Sequence, residues 1–565
     1  MPVGGPTGGH VLRGAIRDQR RRLVAASLLG MTHQACEAMV PVVIGVIIDE
    51  AVATGSTGTL WRWLLLLAVL FFVLSTCYRT GARITEGAGE KAAHHLRLQL
   101  GTRVLDPRGG ADADRLPGAL TSIATNDAKR VGSAVTVLPY GAAALAALAI
   151  SAVALLRISV PLGLLVLLGI PPLLWLGHRI SRPLEQRSET EQERAAHASG
   201  VAADLVAGLR VLKGMGAESA AVTRYRHTSQ DSLAAALRSA RSRAGHEGAV
   251  LALTGVFIAA IGLVGAYLAM RGSISVGDLV AAVGLAQFLL GPFQLLTYVN
   301  AEFAQGRASA GRIAEVLAAP AAVEPGAATP PDPVAGGIRL RGVALGALRG
   351  IDLDIAAASL TGIVTRDAAA ANDLLHCLAR ETDPAEGVIE LDGVALTGLD
   401  PDELRRMILV APHDADLFET SLLDNVRAGA DTETTDIEPA LTASAADDVA
   451  RLLPDGADTV LAERGRSLSG GQRQRVALAR ALAADRPVLV LHDPTTAVDT
   501  VTESRIAARL REVRRGRTTI LVTTSPALLA VTDRVVVLDE GTVTADGSHA
   551  ELVAADETYR AAVLA

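Results

Sequence analysis

The sequence predicts two folds in one chain, an α-helical membrane bundle followed by an α/β domain. The first half contains long apolar segments, and hydrophobic residues make up 50% of the chain with a mean hydropathy of +0.34. That is too apolar for a purely soluble protein of this size. From Ile338 onward, short β-branched strands alternate with helical segments, which is the pattern of an α/β domain. A chain of 565 residues is also too long for one compact core, so we expect several domains.

Six segments are apolar enough to cross a bilayer as helices of about 20 residues each. They are Leu23–Ile48, Leu60–Tyr78, Ala134–Leu156, Ile158–Leu176, Ala249–Met270 and Val280–Val299. The third and fourth are separated only by Arg157 and its neighbours, so we expect them to form a tight hairpin. The basic start before the first segment is typical of a signal peptide, but the apolar run that follows is too long for one. We therefore expect a retained first membrane helix.

The distribution of lysine and arginine predicts the orientation in the lipid bilayer. The amino-terminal segment and two long connections, Arg79–Arg130 and Arg179–Arg243, are rich in these residues, whereas the short loops carry few or none. Positively charged connections stay on the cytoplasmic side. Both termini and both long connections are therefore predicted to be cytoplasmic. The connections are rich in Ala and Leu, so they are expected to continue the membrane helices into the cytoplasm.

The remaining composition sets the domain boundaries and excludes some functions. Residues 318–337 are rich in Pro, Ala and Gly without periodicity, and are predicted to be a linker. It would join a membrane domain at 1–317 to the α/β domain at 338–565. The net charge of −7 gives no basic surface for nucleic acid, so nucleic acid is not an expected partner. The three cysteines form neither a metal-ligand pattern nor a disulfide pattern.

A Gly-Gly turn in the α/β domain, within Leu468–Gln472, predicts a phosphate-binding helix start. Gly470 and Gly471 let the backbone approach a ligand closely, because neither has a Cβ. They also open a helix, so free N–H groups and the positive end of the helix dipole would face a docked anion. Val488–Leu491 follows as a short buried strand between two prolines.

A resemblance to a known family rests on these features taken together. The Leu-Ser-Gly-Gly-Gln turn, the buried strand and the Pro-Thr-Thr-Ala-Val-Asp turn ending at Asp499 resemble the signature motif, Walker B strand and D-loop of ATP-binding cassette (ABC) transporters. The membrane half resembles the exporter-type membrane domain of that family, with six transmembrane helices and short coupling helices near Thr125–Asp127 and Leu209–Gly214. The resemblance implies ATP and Mg²⁺ as cofactors and a bacterial plasma membrane as the location. A six-helix membrane protein of another kind fits the membrane half alone nearly as well.

The phosphate-binding loop that this family uses is missing from the sequence. Such a loop needs glycine N–H groups for the phosphates, a lysine for their charge and a Ser or Thr hydroxyl for Mg²⁺. Aligned on the strand Leu360–Val364, Ala371 occupies the lysine position and Asn372 the hydroxyl position, and no glycine is present. Asp367 and Asp373 would repel a triphosphate. The sequence therefore predicts a degenerate nucleotide site in this chain.

Four further positions of the ATP site depart from the family pattern. His492 stands where the family has its metal-organising aspartate, and Asp493 where it has the catalytic glutamate. Thr524 replaces the switch histidine, and His413 replaces the glutamine of the Q-loop. Each departure alone is compatible with tolerated drift, but their convergence on one pocket favours a coordinated loss. No ATP hydrolysis is therefore expected from this chain alone.

The residues that would contact a nucleotide held by another cassette are intact. They are Ser469, Gly470, Gly471, Gln472 and Asp499. The resemblance implies that the signature closes over ATP that is cradled by the Walker motifs of a second half-transporter, while Asp499 reaches toward the Walker A region of that partner. A homodimer would pair two signatures with two defective cradles. A heterodimeric exporter, with ATPase activity only in the pair, is therefore the leading hypothesis.

The sequence does not identify the transported cargo, which is an unknown small molecule or peptide in this interpretation. His33 and Glu37 lie four residues apart on one face of the first membrane helix. An ionisable pair at membrane depth is costly and marks a candidate substrate pathway, although a structural contact between helices is the alternative. Other polar side chains could line the same cavity or join helices. They are Tyr140, Gln287, Gln294 and Tyr298.

Two other functions stay open on these observations. Some transporters with this fold import metal chelates or siderophores. The interpretation of the nucleotide-binding residues given above would apply equally to such an importer. A non-transporting regulatory protein could instead keep the fold as a scaffold for partners. The intact signature argues against a scaffold, because a scaffold has no need for a γ-phosphate contact.

Overall fold

The computed structural model of the chain describes residues 6–113, 115–414, 416–430 and 435–564. The described residues form two compact units. The first contains those within 1–100 and 118–318, and the second contains those within 101–117 and 319–565. A short piece of the first half of the chain therefore belongs to the second unit.

The first unit contains helices and no strand among its described residues. The helices are α1 (Gly8–Asp18), α2 (Arg20–Ile47), α3 (Thr57–Val104), α4 (Pro117–Ser122), α5 (Ala128–Ile158), α6 (Val160–Ala207), α7 (Leu209–Gly214), α8 (Glu218–Met270) and α9 (Val276–Leu317). Two π-helical turns, Ile48–Val52 and Ile123–Asp127, extend α2 and precede α5. The end of α3 beyond residue 100 passes into the second unit.

Each predicted membrane segment lies mainly within one helix. Four described helical stretches are long and apolar enough to cross a membrane, by length and composition. They are Thr57–Val104, Pro117–Ile158, Glu218–Met270 and Val276–Leu317. The apolar part of α6, Val160–Leu173, is shorter, and α2 carries the polar residues His33, Gln34 and Glu37. Length and composition thus support four of the six predicted spans.

The predicted tight hairpin between the third and fourth segments is present. Only Ser159, in an extended conformation, separates the end of α5 from the start of α6. Pro161 lies in the first turn of α6, where its missing N–H group leaves no helical hydrogen bond unmade. Arg157, the charged residue that separates the two apolar segments, thus lies in the last turn of α5.

Small residues let the helices of the first unit pack closely. A Cβ added at Gly132 of α5 would lie 2.7 Å from the carbonyl oxygen of Gly89 on α3. A Cβ added at Gly45 of α2 would lie 3.0 Å from the Cβ of Ala281 on α9. Such close approach is typical of helix packing in membranes, where van der Waals contact replaces the hydrophobic driving force. Helix positions in this unit are therefore set by backbone contact as well as by large side chains.

An ion pair joins the start of α5 to the end of α9. Arg312 Nε donates to Asp127 Oδ2 at 2.8 Å, and Ser309 Oγ donates to Asp127 Oδ1 at 2.8 Å. Asp127 is 5% exposed. Two donors from α9 therefore satisfy a buried carboxylate from the turn before α5.

The second unit is an α/β unit. Its strands are β1 (Ile338–Leu345), β2 (Leu348–Ile355), β3 (Leu360–Val364), β4 (Glu386–Leu391), β5 (Val394–Ala395), β6 (Ile408–Ala411), β7 (Val488–His492), β8 (Thr518–Val522), β9 (Arg534–Asp539) and β10 (Thr542–Gly547). Its helices are α10 (Ala368–Leu378), α11 (Pro401–Met407), α12 (Leu422–Arg427), α13 (Glu438–Ala443), α14 (Ala446–Leu452), α15 (Gly470–Ala483), α16 (Thr500–Val513), α17 (Pro526–Leu529), α18 (His549–Ala555) and α19 (Glu557–Val563). Short 3₁₀ turns occur at Leu396–Gly398, Gly456–Asp458 and Glu463–Gly465.

The strands form two sheets. The four-stranded sheet has the order β2-β1-β4-β5 and is antiparallel. The six-stranded sheet has the order β10-β9-β3-β8-β7-β6, and all its pairs are parallel except β9 with β10. Its central strands β3 and β8 are buried along their whole length, as expected for short apolar runs covered on both faces. The carboxyl ends of β3, β8, β7 and β6 therefore meet at one edge, which is where ligands bind in open α/β sheets.

The predicted linker follows a defined course in the second unit. The buried guanidinium of Arg380 donates to the carbonyl oxygens of Glu324, at 2.6 Å, and Thr397, at 3.0 Å, and also to that of Leu399. The backbone N–H groups of Ala322 and Val323 both donate to the carbonyl oxygen of Arg108, at 3.0 and 3.2 Å. The segment without periodicity is therefore held by hydrogen bonds instead of by regular secondary structure.

Candidate functional site

A helix begins where a phosphate-binding loop would be expected. Only Thr365, Arg366 and Asp367 separate the end of β3 from the start of α10 at Ala368. Asp367 is the N-cap: its side-chain Oδ1 accepts from the N–H of Ala369 at 2.9 Å. Its carbonyl oxygen accepts from the N–H of Ala371 at 3.1 Å. A carboxylate thus takes the place at the helix N-terminus where an anion would bind.

The residues that the sequence singled out around this turn offer no positive charge to a phosphate. Ala371, at the expected lysine position, is 4% exposed and belongs to the hydrophobic core. Asp373 accepts from the N–H of Ala347 at 2.7 Å and so holds the β1–β2 turn. The side chain of Asn372 is exposed. The two aspartates that the sequence marked as repelling a triphosphate therefore also have structural roles.

The other altered positions gather at the same edge of the sheet. His492 ends β7, and its ring lies 5.7 Å from the ring of His413, which follows β6. Burial lowers the pKa of His492, and the neighbouring His413 adds to this effect. Asp493 has a left-handed backbone, with φ of 42°, and its Oδ2 lies 3.9 Å from His492 Nε2. Thr524 follows β8 and is exposed.

The residues at this edge do not fit Mg²⁺ as a resident ion. Mg²⁺ prefers carboxylate and hydroxyl oxygens, whereas His413 and His492 present two imidazoles here and Asp493 is the carboxylate beside them. A cavity of about 400 Å³ beside them is lined by Arg405, Arg480 and Arg486 and by no described carboxylate. Across the described part of the chain, no group of three His, Cys, Asp or Glu side chains is arranged to hold a metal ion.

The signature turn forms a complete helix cap. Ser469 is the N-cap of α15, and its Oγ accepts from the N–H of Gln472 at 3.3 Å. The Gln472 Oε1 accepts in return from the N–H of Ser469 at 2.7 Å. The Ser469 side chain is exposed at the positive end of a 14-residue helix. This arrangement can accept an anion from outside the chain.

The two glycines of the signature also contact the turn that precedes α16. A Cβ added at Gly471 would lie 2.5 Å from the carbonyl oxygen of Ala497, and one at Gly470 would lie 3.3 Å from the Ala497 Cβ. Gln474 bridges the same segments, because its Nε2 donates to Thr496 Oγ1 at 2.7 Å and its Oε1 accepts from the N–H of Ala497 at 2.8 Å. Sequence reasoning missed Gln474, since no local pattern marks a contact between residues so far apart in the chain.

Asp499 begins α16. Its Oδ1 accepts from the N–H of Thr502 at 2.9 Å, and this hydrogen bond lowers the pKa of Asp499. One helical turn later, Glu503 Oε1 accepts from Thr495 Oγ1 at 2.6 Å and from Ser525 Oγ at 2.7 Å. Glu503 thereby joins the segments after β7 and β8. It was not among the predicted site residues, and its spacing from Asp499 is the only sequence signal that could have suggested it.

The membrane unit brings together some of the predicted pathway residues. Glu37, Gln294 and Tyr298 line one cavity of about 440 Å³ between α2 and α9, together with Gln34. His33 Nε2 lies 3.5 Å from Glu37 Oε2, while His33 Nδ1 lies 3.1 Å from the carbonyl oxygen of Leu74 on α3.

Three of the predicted pathway residues are not among the residues that line this cavity. His33 contacts Glu37 from outside the lining. Gln287 is exposed and directly precedes the lining residue Phe288, and Tyr140 is half-buried on α5 near Tyr78 and Glu86. The structure thus separates the six candidates into cavity residues and neighbours.

Comparison with known proteins connects both units to one family. The family model of the ABC transporter transmembrane region matches residues 23–293, and the ABC transporter model matches residues 348–496. An ATP-dependent lipid A-core flippase from Chromohalobacter salexigens is 30% identical over 406 residues, which cover 70% of each chain. The chain belongs to the ABC transporter family.

Other members of the ABC transporter family match nearly the whole chain. An ATP-dependent lipid A-core flippase from Cupriavidus pinatubonensis is 28% identical over 589 residues, covering 98% of this chain and 95% of the relative. A multidrug efflux ATP-binding/permease protein from Mycobacterium tuberculosis is 30% identical over 561 residues, covering 97% of this chain but 46% of the relative. A solved bacterial Atm1-family ABC exporter with ATP bound is similar with a TM-score of 0.76 and 25% identity, covering 96% of this chain and 98% of that one. The predicted fold class, an exporter-type helical membrane domain with a carboxyl-terminal nucleotide-binding domain, is therefore confirmed.

Proposed function

We propose that this ABC transporter chain is one half of a heterodimeric, ATP-driven exporter in a bacterial plasma membrane, with both termini in the cytoplasm. Its partner is a second half-transporter with intact Walker motifs. The observation that carries the proposal is the contrast between the two helix N-termini of the nucleotide-binding domain. Both helices are capped by an exposed side chain, but the cap of α10 is the charged carboxylate of Asp367, whereas the cap of α15 is the neutral hydroxyl of Ser469.

The cap at Asp367 supports the loss of this chain's own nucleotide site. A triphosphate would have to displace a carboxylate that already accepts a backbone hydrogen bond, and would then meet the charge of that carboxylate. No lysine stands at position 371 to neutralise the phosphates. The histidines at positions 413 and 492 supply no carboxylate for Mg²⁺.

The exposed signature supports a contact to a nucleotide held elsewhere. Ser469 and the N–H groups of Gly470 and Gly471 would bind the terminal phosphate of ATP that the partner cradles together with Mg²⁺. Gln472 would keep the turn in place through its hydrogen bond to the backbone of Ser469. The catalytic carboxylate would come from the partner.

A homodimer is the alternative assembly. A dimer of two copies of this chain would have two signature motifs and two α10 helices capped by Asp367. Neither ATP would then have a phosphate-binding loop to hold it. The mycobacterial multidrug relative is about twice as long as this chain, since 561 matched residues are 46% of its length. A polypeptide of that length has room for two half-transporters in one chain, whereas the flippase from Cupriavidus pinatubonensis is about as long as this chain.

The test is the ATPase activity of this chain co-purified with the half-transporter encoded next to it. Ser469→Arg introduces bulk and a long side chain at the signature, and we expect the activity of the pair to fall by about 100-fold, the loss typical of removing a transition-state contact. The control is Ser504→Arg, at an exposed position on α16, which should leave the activity unchanged. An activity that survives Ser469→Arg would favour the scaffold function over the transporter.

The chain alone provides a second test. Without a partner, the purified protein should neither bind a fluorescent ATP analogue nor hydrolyse ATP. Turnover by the isolated chain at the rate of a complete transporter would contradict the heterodimer proposal.

The direction of transport is tested with inside-out membrane vesicles. Movement of cargo into these vesicles would support export, and movement of cargo out of them would support the importer alternative.

A further inference from the structure

Among the described residues, Glu37 is the one carboxylate that lines the cavity between α2 and α9. The Glu37 carboxylate accepts from Gln34 Nε2 at 3.2 Å, and its basic neighbour is His33 at 3.5 Å. No lysine or arginine is among the described residues that line the cavity. The cavity therefore presents a carboxylate whose basic contact is a histidine, without a lysine or arginine in its described lining.

Gln34 lies beside Glu37 in the lining of this cavity. Gln34 Oε1 is buried and has no hydrogen-bond partner among the described residues. Its amide group already donates to Glu37. A ligand in the cavity does not reach this buried oxygen, so Gln34 acts on the site through its hydrogen bond to the Glu37 carboxylate.

The rest of the lining is apolar or aromatic. Phe288, Pro292 and Leu295 form an apolar wall on α9, and Tyr298 is 52% exposed beside them. An aromatic face near a carboxylate favours a cation with an apolar body, because the ring quadrupole attracts positive charge. A volume of about 440 Å³ lies in the range of small-molecule sites.

We propose that this cavity binds an amphipathic organic cation, and that Glu37 is the residue that selects for positive charge. Gln34 holds the Glu37 carboxylate through its amide hydrogen bond. Tyr298 offers its ring to the cation, and the wall of α9 holds the apolar part of the cation. The inference rests on the proposed transport function for its physiological meaning, and it specifies the class of cargo.

The test compares two probes of nearly equal shape and opposite charge. Tetraphenylphosphonium and tetraphenylborate are measured by equilibrium dialysis against the full-length chain in detergent, without nucleotide. We expect tetraphenylphosphonium to bind at least about tenfold more tightly than tetraphenylborate, a difference of about 1.4 kcal/mol. Equal binding of the two ions, or tighter binding of the anion, would overturn the proposal.

Variants connect the charge preference to this cavity. Glu37→Gln should weaken binding of the cation by about tenfold, whereas Glu90→Gln, at an exposed carboxylate on α3 outside the cavity, should not. Gln294→Lys, at an exposed lining position, should weaken the cation and favour the anion, and it keeps the test open if Glu37→Gln does not fold. Unchanged binding in a folded Glu37→Gln or Gln294→Lys protein would refute the assignment. Because no nucleotide is present, this outcome is independent of whether the heterodimer hydrolyses ATP.

Discussion

Asp367 illustrates how a single side chain can have two consequences. The sequence predicted that its charge would repel a triphosphate, and this needed only the alignment on the strand before it. The structure adds that the carboxylate caps α10 and accepts from the N–H of Ala369. That second role could not be predicted, because it depends on a three-residue connection after β3 and on where the helix begins. The residue types thus predicted a degenerate nucleotide site, and the carboxylate at the start of α10 supports that prediction.

His492 leads to a prediction about pH. Burial lowers the pKa of His492 from its usual value of 6.5 in the folded protein. As the pH falls below about 6.5, the unfolded chain takes up a proton at this residue while the folded chain does not, so stability is lost. We expect the unfolding temperature of the purified protein to fall between pH 7.5 and pH 5.5, and to fall less in His492→Gln.

The control for this prediction is a histidine on the surface of the other unit. His227 is exposed on α8, and His227→Gln should keep the pH dependence of the wild-type protein. If His492→Gln and the wild-type protein lost the same number of degrees over this pH range, the burial of His492 would not contribute to acid sensitivity.

At the level of elements, the signature helix and the turn before α16 depend on one another. The sequence predicted the two glycines as a close approach to phosphate. The structure gives Gly471 an additional reason, since its Cα faces the carbonyl oxygen of Ala497. This contact was not predictable from the sequence, because the turn and the helix are joined through a strand and two loops. A glycine of the signature motif can therefore have a packing role inside its own chain.

We predict that Gly471→Ala destabilises the protein, because the added Cβ would lie 2.5 Å from the Ala497 carbonyl oxygen. The expected cost is about 1–3 kcal/mol, the range for overpacking a well-packed site. Thermal unfolding of the full-length protein without nucleotide measures it. Gly470→Ala is the matched comparison, since its Cβ would lie 3.3 Å from the Ala497 Cβ and should cost less. Equal effects of the two substitutions would argue against the contact with Ala497.

At the scale of the whole molecule, the periodic parts of the chain were predictable and the irregular parts were not. Apolar runs and β-branched runs indicated the membrane segments and the buried strands, since both signals are local. Residues 318–337 have no such signal, and their composition suggested only a linker. Arg380 could not be predicted as the residue that holds them, because its partners are backbone carbonyl oxygens in distant segments.

Arg380→Lys tests whether the hydrogen bonds of Arg380 fix the course of residues 318–337. Arg380 is 2% exposed, and its planar guanidinium contacts several carbonyl oxygens that a single ammonium group cannot reach together. We expect a loss of about 1–3 kcal/mol, the cost of leaving buried polar groups unpaired. Brief digestion with proteinase K should then cut within residues 318–328, which the wild-type protein should resist. Arg366→Lys, at an exposed position before α10, is the control and should resist as the wild type does.

The piece of chain at residues 101–117 has a consequence for biosynthesis. It leaves the ribosome about 200 residues ahead of the segment beginning at residue 319, to which it is hydrogen-bonded in the second unit. At about 5–20 residues per second, this piece waits roughly 10–40 s for its docking site to be translated. The nucleotide-binding domain can thus be completed only after the helices encoded between them have been made, so its final folding step is delayed until the membrane half has been synthesised.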